Sequence, residues 1–192
     1  MKSLTRCAWP GSDPLMIAYH DTEWGVPLHD ERKLFEFMIL DAFQAGLSWR
    51  IVLHKRQGFA KAFANFDPKK VARFGAREVK RLVKDEKIIR NRLKIQATIT
   101  NAKAFLAVQK EWGSFDKYLW SFVKGKPIIN RFRNQNDLPA RTPLSDAISD
   151  DLKRRGFKFV GTTICYAFMQ AAGLVNDHLV ACFSHPRVST RK

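Results

Sequence analysis

Apolar residues recur at helical intervals through most of this chain. Leu34, Phe35, Phe37, Met38, Leu40 and Phe43 follow Asp30 at spacings that spread an apolar surface around one helix,. Asp30 can accept the first-turn amides of that helix and Gly46 interrupts it,. So broad an apolar surface predicts a helix near the centre of the fold. The longest periodic run covers 91–110, with Leu93, Ile95, Ile99, Ala102, Phe105, Leu106 and Val108 on its packing side,. Shorter helices are predicted over 14–21, 48–54, 58–66, a short stretch after Asp67-Pro68 that Gly75 ends, 78–85, 115–122 after Ser114, 147–155 after Thr142 or Ser145, and from Thr162 or Thr163 to 172,. No strand-like run competes with this pattern, so the expected fold class is all-α.

Breakers divide the periodic segments. Trp9-Pro10-Gly11, Asp13-Pro14, Trp24-Gly25 and Val26-Pro27 punctuate the first thirty residues and predict an aromatic arm around one short helix,. Residues 123–143, with Gly125, Pro127, Pro139, Pro143 and a polar stretch at 133–137, read as a loop crossing the surface,. At 192 residues, the chain is expected to form one compact domain over 1–192, with two helical lobes flanking a cleft as one arrangement of it,.

Charge narrows the class of partner. Thirty-four Lys and Arg against eighteen Asp and Glu give a formal charge of +16, an electrostatic footprint suited to a polyanion,. The basic residues concentrate at 80–94 and at Lys153, Arg154, Arg155 and Lys158. No segment approaches the roughly twenty apolar residues of a membrane span, and the N-terminus lacks the pattern of a secretory signal,. The three cysteines cannot all pair, so they read as ligands or core thiols in a reducing compartment. The expected location is therefore the cytoplasm.

Two features carry candidate chemistry. Cys7 and His20 near one end, and His178 and Cys182 near the other, are suitable tetrahedral zinc ligands, with the last two spaced to share one helical turn,. A second reading makes the cysteines packing groups and the histidines local hydrogen-bonding groups, because so long an intervening chain permits folds in which they never meet. Cys165 lies in an apolar segment and reads as core. The second feature is Arg155-Gly156-Phe157-Lys158-Phe159-Val160-Gly161-Thr162-Thr163, between two predicted helices. A tight hairpin there would point backbone amides of the following helix at a phosphate. An ordinary helix connection anchored by Phe157, Phe159 and Val160 has the same local pattern.

Longer ordered motifs then resemble one family. Arg6-Cys7-Ala8-Trp9, residues 18–27 (AYHDTEWGVP), 44–49 (QAGLSW), 155–165 and 173–178 (GLVNDH) are similar to the type I DNA-3-methyladenine glycosylases of the helix-hairpin-helix superfamily. The resemblance covers almost the whole chain and implies a helix-hairpin-helix at about 145–172. It implies one structural zinc held by Cys7, His20, His178 and Cys182. It places Trp49, Tyr19 and Asp41 around a base pocket, with Trp9 nearby: Trp49 stacking on the base, Tyr19 and Asp41 making polar contacts, and Asp41 as the catalytic carboxylate. Gly46 and Leu47 would fill the space left by an extruded nucleotide, although by pattern alone Leu47 is a core leucine. Lys158, Gly161, Thr162 and Thr163 would meet the DNA backbone.

The implied activity is monofunctional hydrolysis of the N-glycosidic bond of 3-methyladenine in double-stranded DNA, with no membrane and no obligatory protein partner. Asp41 stands where the family usually presents glutamate, and Ala42-Phe43 also departs from its pattern. The shorter carboxylate preserves charge and loses reach, which opens two alternatives: a shifted alkylpurine range, or a weakly catalytic protein that binds altered or abasic DNA.

Overall fold

The computed structural model describes residues 4–189. Eleven α-helices follow one another among these residues: α1 (Pro14–Thr22), α2 (Glu31–Gln44), α3 (Trp49–His54), α4 (Arg56–Ala62), α5 (Pro68–Val71), α6 (Ala76–Leu82), α7 (Arg92–Trp112), α8 (Phe115–Ser121), α9 (Pro143–Arg154), α10 (Thr162–Ala171) and α11 (Ser184–Ser189). The predicted helices form close to their expected bounds because their start signals operate. Asp13, Asp30, Ser48, Asp67, Asn91, Ser114 and Thr142 each accept a first-turn amide with the side chain,. Pro14, Pro68 and Pro143 occupy first helical positions, where proline costs no hydrogen bond,.

The α2 helix is the axis of the molecule. Every residue from Leu34 to Phe43 is buried, and α3, α7, α8 and α10 pack around it. Phe35 meets Phe105 of α7 at 5.2 Å between ring centroids, and Phe43 meets Phe59 of α4 at 4.6 Å. Arg56 joins α4 to two earlier elements, donating to both carboxylate oxygens of Glu23 at 2.7 and 2.8 Å and to Glu36 at 2.7 Å.

Three features differ from what the sequence predicts, the first of them from the all-α fold class. Ile128–Ile129 (β1) pairs in parallel with Val175–Asn176 (β2), a two-residue contact too short to leave a periodic signal. A 3-10 turn at Ala64–Phe66 takes left-handed backbone at all three residues and cuts the expected 58–66 helix short,. His178 and Cys182 do not share a helical turn: they lie in an irregular segment before α11, closed by Cys182 N donating to Leu179 O at 2.7 Å. Gly173 ends the α10 region with φ +71°, and a Cβ there would fall 2.3 Å from the Val26 backbone, so glycine lets the aromatic arm lie against α10.

Candidate functional site

A cavity of about 170 Å³ opens between the aromatic arm, α2, α3 and α10. Trp9, Tyr19, Trp24, Asp41, Gln44, Trp49, Ala167 and Gln170 line it, with Gln135 and Leu138 from the 130–142 loop completing the wall. This is below the roughly 300 Å³ typical of drug-sized ligand sites and suits one flat heterocycle. All four base-pocket residues expected from the sequence, Trp9, Tyr19, Asp41 and Trp49, therefore share one cavity. Gln44 follows Asp41 by three residues on the same helix, a signal available in the sequence. Trp24 lay within a recognised motif, whereas Gln135 and Leu138 had no periodic signal at all.

The cavity is aromatic but not polar-satisfied. The ring of Tyr19 lies 5.1 Å from Trp49 and 6.3 Å from Trp9, and Trp9 meets Trp24 at 5.2 Å. Trp9 Nε1, Trp49 Nε1 and Asp41 Oδ2 are buried without a hydrogen-bond partner among the described residues. Such orphans are uncommon, and three around one cavity mark a place prepared for a ligand with complementary edges. Asp41 is 2% exposed, and burial alone pushes its carboxyl well above the ordinary carboxylate range,. Burial also holds the Tyr19 hydroxyl well above its usual value, reinforced by Asp41.

The departures at 42 and 43 do not reach this cavity. Phe43 is fully buried between α2 and α4 against Phe59 and Phe63, and Ala42 is also buried; neither is among the lining residues. Of the three positions, only Asp41 lines the cavity.

Behind the arm lies the predicted ligand cluster. Cys7, His20, His178 and Cys182 are all buried, and their ligating atoms lie within 4.8 Å of one another. Cys7 Sγ is 3.8 Å from His178 Nδ1, while Cys182 Sγ lies 3.6 Å from both His20 Nε2 and His178 Nδ1. Bond lengths of about 2.0–2.3 Å at tetrahedral angles give edges of roughly 3.5 Å, close to these separations. The remaining ring nitrogens are also engaged: His20 Nδ1 meets Asp21 at 2.7 Å, and His178 Nε2 meets the Trp24 carbonyl at 3.0 Å. Such outer contacts fix which nitrogen of each ring faces the cluster. These four residues can hold a metal ion, and they adjoin the cavity because the ring of Trp24 packs on His178 at 4.7 Å.

Two surface elements flank the cavity. After α2 the chain turns through Gly46, at φ +76° with open space around it, and leaves Leu47 41% exposed. The core reading of Leu47 is thus excluded. The second element joins α9 to α10. Gly161 caps α10 without a side-chain hydrogen bond, and Lys158, Gly161 and Thr163 are exposed. Thr162 differs: its hydroxyl donates to Asp146 and lies 2.9 Å from Ser145 Oγ, fastening the two helices. Phe159 takes φ +56° where a glycine would be unstrained,. Cys165 is core as expected, its thiol donating to Val160 O at 3.3 Å and its pKa pushed up to about 12 by burial.

The α7 helix holds both elements. Asn101 is fully buried, its amide donating to Lys158 O at 3.0 Å and accepting from Lys158 N at 2.7 Å. Lys94, grouped by sequence with the basic surface at 80–94, is 7% exposed and does not belong to that surface. Its ammonium donates to Phe43 O at 2.9 Å and Ala45 O at 2.5 Å, closing the C-terminus of α2, and lies 5.8 Å from the Phe159 ring,.

Comparison with known proteins gives one consistent result. The methyladenine glycosylase family matches residues 9–185. DNA-3-methyladenine glycosylase 1 of Escherichia coli (strain K12) is 52% identical over 183 residues, 95% of this chain and 98% of that protein. The DNA-3-methyladenine glycosylase of Haemophilus influenzae is 48% identical over 178 residues, 93% and 96% of the two chains. A crystal structure of 3-methyladenine DNA glycosylase I is similar with a TM-score of 0.93 at 54% identity, covering 95% of this chain and all of that one. The Staphylococcus aureus enzyme, solved for its recognition of 3-methyladenine, gives 0.92 at 38% identity over 95% and 97% of the two chains.

Proposed function

This chain belongs to the methyladenine glycosylase family, and from that premise we propose that it excises 3-methyladenine from alkylated double-stranded DNA in base-excision repair, as a monofunctional hydrolase leaving an abasic site. The observation that carries the reading is the cavity in which Asp41 Oδ2 and two indole N–H groups are buried without partners among the described residues. In two solved structures 38% identical to this chain, one of them in complex with 3-methyladenine, the substituted tyrosine and glutamate are spaced along the chain as Tyr19 and Asp41 are spaced here.

The chemistry follows from charge. A purine methylated at N3 within DNA is cationic, so its glycosidic bond is already weakened and strong acid catalysis is unnecessary. Asp41 would supply the counter-charge to that base, and only a cationic base returns enough energy to ionise so desolvated a carboxyl. An unmodified base gives no such return, which favours the damaged base over the far more abundant normal ones. Trp49 would stack on the extruded ring, and Tyr19 would contact its edge. Water captures the oxocarbenium-like sugar as the base leaves.

The surrounding surface supplies access to DNA. Leu47 would enter the gap left by the extruded nucleotide, with Gly46 allowing close backbone approach. The α9–α10 connection is read as the helix-hairpin-helix, in which the uncapped amides after Gly161 and the Lys158 ammonium meet phosphate, with Thr163 alongside. Thr162 is assigned to holding the hairpin closed. Zinc suits Cys7, His20, His178 and Cys182; with four protein ligands it would fasten the arm rather than activate water. Among the described residues no helix is long and apolar enough to cross a membrane; the proposed location, in the cytoplasm with DNA, follows from the proposed substrate.

The test is mass-resolved analysis of bases released from methylated duplex DNA by the purified protein. Free 3-methyladenine is expected. Tight binding to damaged DNA without base release would instead support the weakly catalytic binding protein.

A further inference from the structure

Three glutamine amides line the cavity, from Gln44, Gln135 and Gln170, but only that of Gln170 is held by a hydrogen bond among the described residues. Its Nε2 donates to Asp177 Oδ2 at 2.8 Å. Asp177 is 1% exposed and also accepts from Tyr166 OH at 2.6 Å and from Asn130 Nδ2 at 2.6 Å. A carboxylate surrounded by three donors can only accept, so the nitrogen of the Gln170 amide must face Asp177 and the oxygen must face away. Among the described residues nothing donates to that oxygen, and Gln170 is only half-buried. It remains for the cavity that Gln170 lines.

We propose that Gln170, its amide oriented by Asp177, is the residue that selects adenine-type over guanine-type bases, presenting a fixed hydrogen-bond acceptor to the six-position of the extruded purine. This rests on the glycosylase reading above and deepens it. Adenine carries an amino donor at that position and guanine a carbonyl acceptor. Methylation at N3 leaves this difference unchanged. An amide free to turn would serve either base by presenting its nitrogen or its oxygen; the Asp177 carboxylate removes that choice before the base arrives. Fixing the group in advance also avoids an ordering cost on binding. Asp177 acts here as a positioning residue, and Tyr166 and Asn130 hold it in place. Asp41 cannot make the same selection alone, because its counter-charge serves any cationic purine.

The test is the ratio of 3-methyladenine to 3-methylguanine, both as kcat/KM for release from methylated duplex DNA and as affinity for the two free bases. Gln170→Met keeps the chain length and removes the amide. Its ratio is expected to fall about tenfold, the scale of one hydrogen bond, through weaker use of 3-methyladenine with 3-methylguanine unchanged or improved. Asp177→Asn, which lets the Gln170 amide turn, is expected to lower the ratio in the same direction, with metal content and circular dichroism measured to show that the fold is retained. A proportional loss on both bases in either folded variant would make Gln170 merely part of the wall and overturn the proposal. Failure of the glycosylase reading is separable: a parent protein that releases no alkylated base overturns that reading, while the free-base affinity ratio still decides the role of Gln170.

Discussion

Replacing Asp41 by Asn should stabilise the free protein increasingly as pH rises, while impairing excision. Burial raises the folded-state pKa of Asp41 well above the ordinary carboxylate range, with no compensating partner for Oδ2. Between the unfolded and folded pKa values, the native state therefore holds a proton that the unfolded chain has released, and stability falls with rising pH. One proton corresponds to at most about 1.4 kcal/mol per pH unit. For a domain of this size that is a decline of about 3–5 °C in Tm per pH unit at the steepest point. The Asn variant lacks this slope. Thermal unfolding of both proteins from pH 4 to 8 should give curves that nearly coincide at the acid end and diverge above it, the variant melting higher. Excision should meanwhile fall by about 10²-fold, as for loss of one electrostatic stabiliser of a developing charge. A Tm difference that stays constant with pH would show that Asp41 is not desolvated in the free enzyme. Unchanged excision would remove its assigned role.

Other parts of the molecule yield independent expectations. Lys94→Met removes two charged hydrogen bonds from the carbonyls that end α2 and should cost about 1.5–3 kcal/mol in urea unfolding; an effect below about 0.5 kcal/mol would contradict the bracing role. Lys158→Ala should weaken duplex binding independently of sequence and reduce the slope of log K against log salt by about 1, and an unchanged slope would place Lys158 away from phosphate. Carefully purified protein should contain about one equivalent of zinc; removing it with a chelator, or making Cys182→Ala, should lower Tm, whereas metal-free protein with unchanged Tm would exclude the clamp.

The helices were legible because their signals are local: Asp30, Asp67 and Ser114 cap where their side chains predict,. What escaped was contact between distant segments. The β1–β2 pair joins residues 128–129 to 175–176 through two positions each, and no glycine marks the left-handed turn at Ala64–Phe66,. Lys94 shows the same limit at the level of one side chain. In sequence it continues a basic run, and only the arrival of the α2 C-terminus over α7 gives its ammonium two buried carbonyls. At the site, the Cys/His set was a candidate from residue type alone, with a packing alternative that only the meeting of the two ends could remove, while Asp41 came from motif resemblance. Gln135 and Leu138 came from a stretch that reads as surface loop, and the oriented Gln170 depends on Asp177, which was recognised only as part of a motif.

The closure of the arm also orders events during synthesis. Trp9, Tyr19 and Trp24 emerge early, yet His178 and Cys182, which meet Cys7 and His20, are separated from them by some of the longest contacts in the chain. Because chains emerge amino end first and long loops close late, a nascent polypeptide can carry every residue lining the cavity before it carries His178. The last-made segment thus completes the wall behind the cavity, and closure of the arm is a late step.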